Sequence, residues 1–330
     1  MLEHGGSLRA AASAYGIPLA DWLDLSTGIN PTHYPLVSPP ARLWHRLPEP
    51  DANLLAAASA YYGSDQLLPV AGSQAAIQAL PAVLAARRIG LLTPSYAEHA
   101  HAWRHREVVP LAAAAIDAAV DTLDALLLVC PNNPGGEHFS RAQLLDWHRR
   151  LQRRGGTLIV DEAFIDTDPA DSLAPLAGQP GLVVLRSLGK FFGLAGARVG
   201  FVFGPAALRD ALAEHLGPWT LSAPAQDIAR QALSDTAWQA CMRRRLAADG
   251  ARMAALLARH GGQPRGPALF KYVPTADARH WQAHFARAAI WVRAFDAPPA
   301  VRLALPADEA GWQRLDLSLQ HGRHAGLSLE

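Results

Sequence analysis

Apolar runs through the middle of the chain alternate with longer amphipathic segments. Five of these runs are rich in Val, Leu, Ile and Phe and are bounded by Gly, Pro or polar residues, which is typical of β-strands. Because most successive positions in them are apolar, the strands are predicted to be buried on both faces. The predicted strands are 88–94, 125–131, 156–164, 181–188 and 198–204.

The segments between these strands have the spacing of amphipathic helices. One of them, SRAQLLDWHRRLQRRG, begins at Ser140, a suitable N-cap, and ends near Gly155, which favours a helix stop. Strands that alternate with helices predict an α/β fold whose mainly parallel sheet is covered by helices. The chemistry of such sheets gathers at the carboxyl ends of the strands.

The pattern changes after about residue 220. A long Ala- and Arg-rich helical region is followed by short strands at ALFKYVP, AIWVRAF and AVRLALP, which indicates a smaller α+β domain. We expect an N-terminal arm over 1–40 that contributes to the small domain and the substrate site. A large domain would cover 41–230, and the small C-terminal domain would cover 231–330.

The composition argues against several classes of protein. The formal charge is +1 and arginine is spread along the chain, so no surface for nucleic acid or membrane stands out. The absence of a signal peptide, of a bilayer-length apolar stretch and of a disulfide framework around Cys130 and Cys241 favours the cytoplasm. The 14 His form no pair with zinc-like spacing, so no metal is predicted, and HAHAW at 99–103 is interpreted as helix.

Lysine is scarce. The 30 basic residues include only Lys190 and Lys271. An amine can lose its proton and attack a carbonyl, whereas a guanidinium stays charged, so a retained lysine suggests covalent chemistry. Lys190 does not fit a nucleotide-binding loop, because G-x-x-x-x-G-K-[ST] is absent and Phe191 follows it. Lys271 is expected to be a strand residue with a solvated head group.

Lys190 has chemical partners at the ends of other predicted strands. Asp161 ends one strand, and Asn133 lies in the turn CPNNPGG that follows another. An enzyme that uses pyridoxal phosphate needs an amine to hold the cofactor, a carboxylate to keep its pyridine nitrogen protonated and an amide to bond its phenolic oxygen. A helix that begins in AGSQAAIQAL would bind the cofactor's phosphate. The further cofactor residues expected are Gly72, Ser73, Gln74, Tyr96 on the ring face, Ser187 and Arg198.

The order of these motifs resembles a known family. An S-x-x-K motif with arginine eight residues after the lysine follows P-N-N-P-x-G and D-E-A-F. This order resembles the fold-type I pyridoxal phosphate enzymes, in the branch of histidinol-phosphate aminotransferase and threonine-phosphate decarboxylase. The resemblance covers essentially the whole chain, and it implies a cytoplasmic homodimer that binds a small phosphorylated amino acid.

The N-terminal segment, EHGGSLRAAASAYGIPLADWLDLSTGINP, is similar to the opening of the threonine-phosphate decarboxylases of cobalamin biosynthesis. In that family the H-G-G element and the asparagine segment contribute to the substrate's phosphate site, and two arginines bind phosphate and carboxylate. Composition alone would indicate a disordered terminus. The substrate residues implied by the resemblance are His4, Gly5, Gly6, Asn30, Arg293 and Arg302.

Three positions depart from the pattern of the branch. Phe164 stands where its aminotransferases have a tyrosine that bonds the cofactor, and phenylalanine is associated with the decarboxylase. Leu47 stands where many relatives have a tyrosine that reaches the neighbouring subunit's cofactor phosphate. The turn at 134–136 is Pro-Gly-Gly rather than Pro-Thr-Gly, which is a minor change.

The resemblance implies a carboxy-lyase that converts L-threonine O-3-phosphate to (R)-1-aminopropan-2-ol O-phosphate. Histidinol-phosphate transamination is an alternative that motifs separate poorly, because it differs in which bond at Cα is broken. A non-catalytic protein of the same fold that binds a ligand is an alternative of another class.

Overall fold

The computed structural model describes residues 4–329. By their internal contacts these residues divide into two compact units. The large unit comprises 33–133 and 137–241, and the small unit comprises the chain up to Thr32, Pro134–Gly136 and the chain from Met242 onward. The domain limits at residues 40 and 230 stay a prediction.

The helices and strands are numbered along the whole chain. The strands are β1 Leu23–Asp24, β2 Leu67–Val70, β3 Arg88–Leu92, β4 Glu107–Leu111, β5 Ala125–Val129, β6 Thr157–Asp161, β7 Leu182–Ser187, β8 Gly200–Phe203, β9 Phe270–Pro274, β10 Ile290–Trp291, β11 Arg293–Asp296 and β12 Pro299–Ala304. The helices are α1 Leu8–Tyr15, α2 Ala52–Tyr62, α3 Ser73–Val83, α4 Ala97–Ala102, α5 Ile116–Ala119, α6 Arg141–Gln152, α7 Ala206–Leu216, α8 Ala223–Ser234, α9 Thr236–Arg259, α10 Ala278–Arg287 and α11 Glu309–His324.

The large unit is built on a seven-stranded sheet in the order β2-β8-β7-β6-β5-β3-β4. Its strands run parallel except β8, which is antiparallel to both of its neighbours. The predicted α/β fold with a mainly parallel sheet is therefore confirmed. No helix in residues 4–329 is long and apolar enough to cross a membrane.

Alternate residues of the central strands pack on opposite faces of this sheet, as the pleat requires. Leu127, Ile159 and Leu185 belong to one core with α3 and α7. Their neighbours Leu126 and Leu158 are also fully buried, which explains the continuous apolar runs. Beside β6, helix α6 starts at a capping box in which Ser140 and Gln143 bond reciprocally, so the predicted N-cap is confirmed.

The small unit contains an antiparallel sheet in the order β11-β12-β9 and a parallel pair of β1 with β10. Trp281 and Phe285 of α10 are fully buried within it. The pairing of β1 with β10 joins the N-terminal segment to residues almost 270 positions later. Residues of the N-terminal segment therefore contribute a strand to the small unit.

A buried ionic cluster lies at the ends of β6 and β7. Arg186 is 2% exposed and donates to Glu162 at 2.9 Å, to Ser172 Oγ at 2.9 Å and to Asp166, all of them buried. Ser172 Oγ also donates to Glu162 at 2.6 Å, and Tyr61 donates to Asp166 at 2.9 Å. Burial raises the pKa of Glu162, and the charge of Arg186 opposes that shift. The cluster fixes two strand ends through one guanidinium.

Replacing Arg186 with Met is therefore expected to destabilise the protein by about 3–5 kcal/mol, because two buried carboxylates lose their counter-charge. Urea unfolding of the apoprotein measures this change. The matched control is Arg149→Met, whose partner Asp146 is exposed and which should change stability by about 0–1 kcal/mol. Equal unfolding midpoints for the two variants would contradict the assignment.

Candidate active site

The predicted cofactor residues gather at the carboxyl edge of the sheet. Tyr96 follows β3, Asn133 follows β5, Asp161 ends β6 and Lys190 follows β7. All four line one cavity of about 140 Å³. The cavity's lining also includes Ser73, Gln74, Phe164, Ser187, Gly189 and Arg198.

Asp161 is the most buried charged group of this cavity, with 3% of its surface exposed. Its Oδ1 accepts a hydrogen bond from the Ala163 amide at 3.0 Å, and its Oδ2 lies 2.9 Å from His99 Nε2. An ionised carboxylate oxygen only accepts, so the geometry assigns a proton to Nε2. Two donors from different elements therefore orient this carboxylate.

His99 is a site residue that the sequence analysis missed. The HAHAW segment does form helix α4, as predicted, but His99 faces inward and is 1% exposed. Its ring also packs edge-on against Tyr96, with centroids 5.9 Å apart. A contact with Asp161, 62 positions away, leaves no signal in the local pattern.

Lys190 lies in the tight turn that follows β7. The turn is stabilised by Ser187 Oγ, which accepts from the Gly189 amide at 3.1 Å. Lys190 Nζ lies 5.3 Å from the centroid of the Phe164 ring, which is a cation–π contact. Phe164 therefore lies beside the amine, but it offers no hydroxyl to a ligand.

The start of α3 at Gly72, Ser73 and Gln74, together with Ser187 and Arg198, forms a corner of the cavity that is suited to an anion. Gly72 caps α3 with φ of +74°, and a Cβ on it would come within 2.6 Å of the Arg198 guanidinium. Arg198 itself adopts the left-handed conformation, with φ of 53° and ψ of 55°, which is rare for a residue with a side chain. Strained backbone of this kind is found at ligand sites. The amides of a helix's first turn, the helix dipole and a guanidinium together favour an anion.

Asn133 lies in the turn after β5, and the neighbouring residue Asn132 holds this turn in place. Asn132 is fully buried, and its side-chain amide donates to Pro94 O at 2.9 Å and accepts from Ser95 Oγ at 2.8 Å. These bonds tie the end of β5 to the loop after β3. They fix the backbone from which Asn133 enters the cavity.

The predicted substrate residues all lie in the small unit. Arg302 on β12 is 3% exposed, donates to Ser26 O and pairs in register with Arg293 on β11. Burial and the charge of Arg293 lower the pKa of Arg302 to about 9. An anionic ligand would relieve this repulsion, so the pair is suited to phosphate or carboxylate.

The other predicted substrate residues belong to the N-terminal segment. Asn30 is 2% exposed, and its Oδ1 accepts from the Thr32 amide at 2.9 Å. His4 is exposed. Gly5 lies against Ser26 O, and Gly6 donates to Ser26 Oγ at 2.8 Å.

The prediction of a solvated Lys271 was wrong. It lies on a strand as expected, but only 9% of it is exposed and its Nζ donates to Gly266 O and Pro267 O, each at 2.9 Å. Burial lowers the pKa of its amine. Lys271 stabilises a sharp corner at Gly266, where φ is +123°.

Comparison with known proteins decides the family. The model of the family "aminotransferase class I and II" matches residues 41–315. The chain is 54% identical over 322 residues to a protein from Pseudomonas aeruginosa named threonine-phosphate decarboxylase, with 97% of each chain covered. The chain belongs to the aminotransferase class I and II family. A protein of the same name from a Sinorhizobium species is 41% identical and covers 95% of this chain and 96% of its own.

A solved structure agrees with this family at the level of the fold. Histidinol-phosphate aminotransferase from Sinorhizobium meliloti, in complex with pyridoxal-5'-phosphate, superposes with a TM-score of 0.79 at 16% identity over 98% of this chain and 96% of its own. That structure holds pyridoxal 5'-phosphate. The cavity of the present chain fits this cofactor chemically, since a lysine amine, an oriented carboxylate and a helix start suited to an anion lie together.

The His99 contact yields a prediction. Replacing His99 with Phe keeps an aromatic ring but removes a hydrogen bond to a charged group, which is worth about 1.5–3 kcal/mol. We expect cofactor affinity, measured by absorbance titration of the apoprotein, to fall about 10- to 100-fold. His101→Phe, at an exposed position of the same helix, should leave the affinity unchanged. Equal affinities of the two variants would show that His99 does not support Asp161.

Proposed function

We propose that this protein decarboxylates L-threonine O-3-phosphate to (R)-1-aminopropan-2-ol O-phosphate, a step of cobalamin biosynthesis. The observation that carries the proposal is the similarity to proteins named threonine-phosphate decarboxylase along almost the entire chain. The residues that line the cavity agree with this proposal, because they provide the groups that such a reaction needs.

Four side chains and the anion-binding corner would hold the cofactor. Lys190 would bind it covalently, Asp161 would keep a proton on its pyridine nitrogen, and Asn133 would donate to its phenolic oxygen. Tyr96 would cover one face of the ring. Its phosphate would lie at the anion-binding corner formed by Gly72, Ser73, Gln74, Ser187 and Arg198.

When bound, the cofactor supplies an electron sink for the pair that a broken bond leaves on the substrate's Cα. The protein's residues determine which bond at Cα is broken and which group donates the proton that replaces it. The substrate carboxylate leaves as carbon dioxide, its bonding electrons stay with Cα, and Lys190 Nζ, which lines the cavity, would donate the proton that Cα takes up. His99 would contribute by keeping the Asp161 carboxylate in place.

The substrate's charged ends would be bound by the small unit's donors. Arg302 is buried and pairs in register with the half-buried Arg293, and the repulsion between their charges would be reduced by a bound phosphate or carboxylate. His4, Gly5, Gly6 and Asn30 would add donors to the phosphate. Binding energy at the phosphate, remote from the reacting bond, can then orient the bond to be broken.

Product analysis tests the reaction. With threonine phosphate alone, the wild-type protein should release carbon dioxide and form the amino alcohol phosphate in equal amounts. Added 2-oxoglutarate should not be required or converted to glutamate. Glutamate formation without carbon dioxide would instead show transamination.

A matched variant separates catalysis from ligand binding. Lys190→Ala should lose both turnover and the absorbance band of the covalently bound cofactor, because Lys190 supplies the amine that lines the cavity. A variant that kept full turnover would contradict the role of Lys190. A wild-type protein with the absorbance band but with no turnover of any phosphorylated amino acid would favour a non-catalytic role.

We further propose that the protein is a cytoplasmic homodimer. Its large unit carries a set of exposed apolar side chains, and a second copy is the partner that would cover them. A groove of this unit is lined by two of them, Leu36 and Trp44, and also by Arg198, so a contact there would extend to the anion-binding corner. Free thiols at Cys130 and Cys241 agree with a reducing compartment. The exposed apolar residues are Leu36, Val37, Trp44, Leu47 and Trp219.

Light scattering after size exclusion tests the dimer. The wild type should have twice the chain mass of 35.3 kDa. Trp44→Glu should weaken the dimer, because it places a charge in an apolar contact. Leu317→Glu changes an equally apolar, exposed residue of α11 and should stay dimeric. A monomeric wild type would refute the proposal.

A further inference from the structure

A chain of short hydrogen bonds in the small unit has no part in the assignments made so far. It runs from Asp24, the last residue of β1, through Ser26 to the glycines of the N-terminal segment. Ser26 is 1% exposed, so its polar atoms depend on protein partners. Each link of the chain is therefore a constraint on the position of the segment.

The Asp24 carboxylate sets the direction of the Ser26 hydroxyl. Asp24 Oδ1 accepts from the Ser26 amide at 2.8 Å and from Ser26 Oγ at 2.6 Å. Because the hydroxyl proton points to Asp24, a lone pair of Ser26 Oγ is left to accept another donor. The Gly6 amide is that donor, at 2.8 Å.

The same serine connects this chain of bonds to the arginine pair. Its carbonyl oxygen accepts from the Arg302 guanidinium. Gly5 packs directly on that carbonyl, since a Cβ on Gly5 would come within 2.3 Å of Ser26 O and 3.5 Å of Arg302 Nη2. Only glycine fits there, so the close approach of the N-terminal segment to Arg302 is built into the sequence.

We propose that Asp24 and Ser26 are positioning residues that hold Gly5 and Gly6 against Arg302 before any substrate binds. The inference rests on the proposed function, in which the Gly5–Gly6 segment and Arg302 bind the substrate's phosphate. If the segment is already ordered, less of the substrate's binding free energy is lost in ordering it. The Asp24–Ser26 pair therefore sets how strongly the enzyme prefers a phosphorylated substrate to free threonine.

Hydrogen exchange of the resting holoenzyme tests the positioning role without turnover. In Ser26→Ala the Gly6 amide loses its acceptor, so the peptide that contains it should exchange about 3- to 10-fold faster than in the wild type. Ser7→Ala is the matched control. Ser7 precedes α1 on the same segment, is exposed and makes no side-chain cap, so the variant should exchange like the wild type.

Steady-state kinetics adds a second readout. In Ser26→Ala the KM for threonine phosphate should rise about 3- to 10-fold with kcat within about twofold, because the variant loosens the phosphate site and leaves the cofactor cavity intact. The preference for threonine phosphate over threonine, as the ratio of the two kcat/KM values, should fall by the same factor. Asp24→Asn should give an intermediate result, since its amide oxygen can still accept.

Several results would overturn the inference. They are unchanged exchange at Gly6 in Ser26→Ala, full exchange of this peptide at the earliest time in the wild type, and faster exchange with an unchanged KM. If Ser26→Ala does not fold, the exchange of Asp24→Asn against the control Asp21→Ala decides, because Asp21 is exposed on the neighbouring turn. Absence of carbon dioxide release by the wild type would refute the proposed function, and the exchange result would still report on the hydrogen bonds.

Discussion

The candidate site depends on one constraint, a carboxylate that is buried and must be held by donors. Asp161 ends the central strand β6, and it is oriented by His99 from α4 and by the amide of Ala163. On either side, β5 and β7 run parallel to β6 and end at the same edge. Residues that follow these strands, Asn133 and Lys190, are thereby brought into one cavity with it. The geometry of the site thus follows from strand direction and from one fixed side chain.

The residue after Asp161 serves a different purpose. Glu162 turns away from the cavity and joins Arg186, whose guanidinium also binds Asp166. Arg186 in turn precedes Ser187 of the Lys190 turn. Neighbouring positions at the ends of β6 and β7 therefore alternate between the cavity and a buried ionic cluster, as in the pleat of a strand. The cluster secures the strand ends from which Asp161 and Lys190 extend.

Much of this site could be predicted from the sequence, because its signals are local. The central strands, the turn after Val129 and the helix start at Gly72 each have a pattern within about ten residues, and the order of motifs along the chain gave their combined meaning. His99 was missed and the burial of Lys271 was not predicted, because their contacts depend on tertiary packing and not on local sequence. His99 contacts Asp161, and Lys271 donates to two backbone carbonyls at Gly266 and Pro267. The left-handed conformation of Arg198 also has no local signature, since the residue type disfavours it.

We propose that the Asp161 carboxylate keeps a proton on the cofactor's pyridine nitrogen. Nitrogen-15 NMR of the holoenzyme, loaded with cofactor labelled at that nitrogen, measures the protonation directly. We expect a protonated nitrogen in the wild type at neutral pH and a neutral one in Asp161→Asn, whose amide is uncharged. A neutral nitrogen in the wild type, or one that stays protonated in Asp161→Asn, would contradict it.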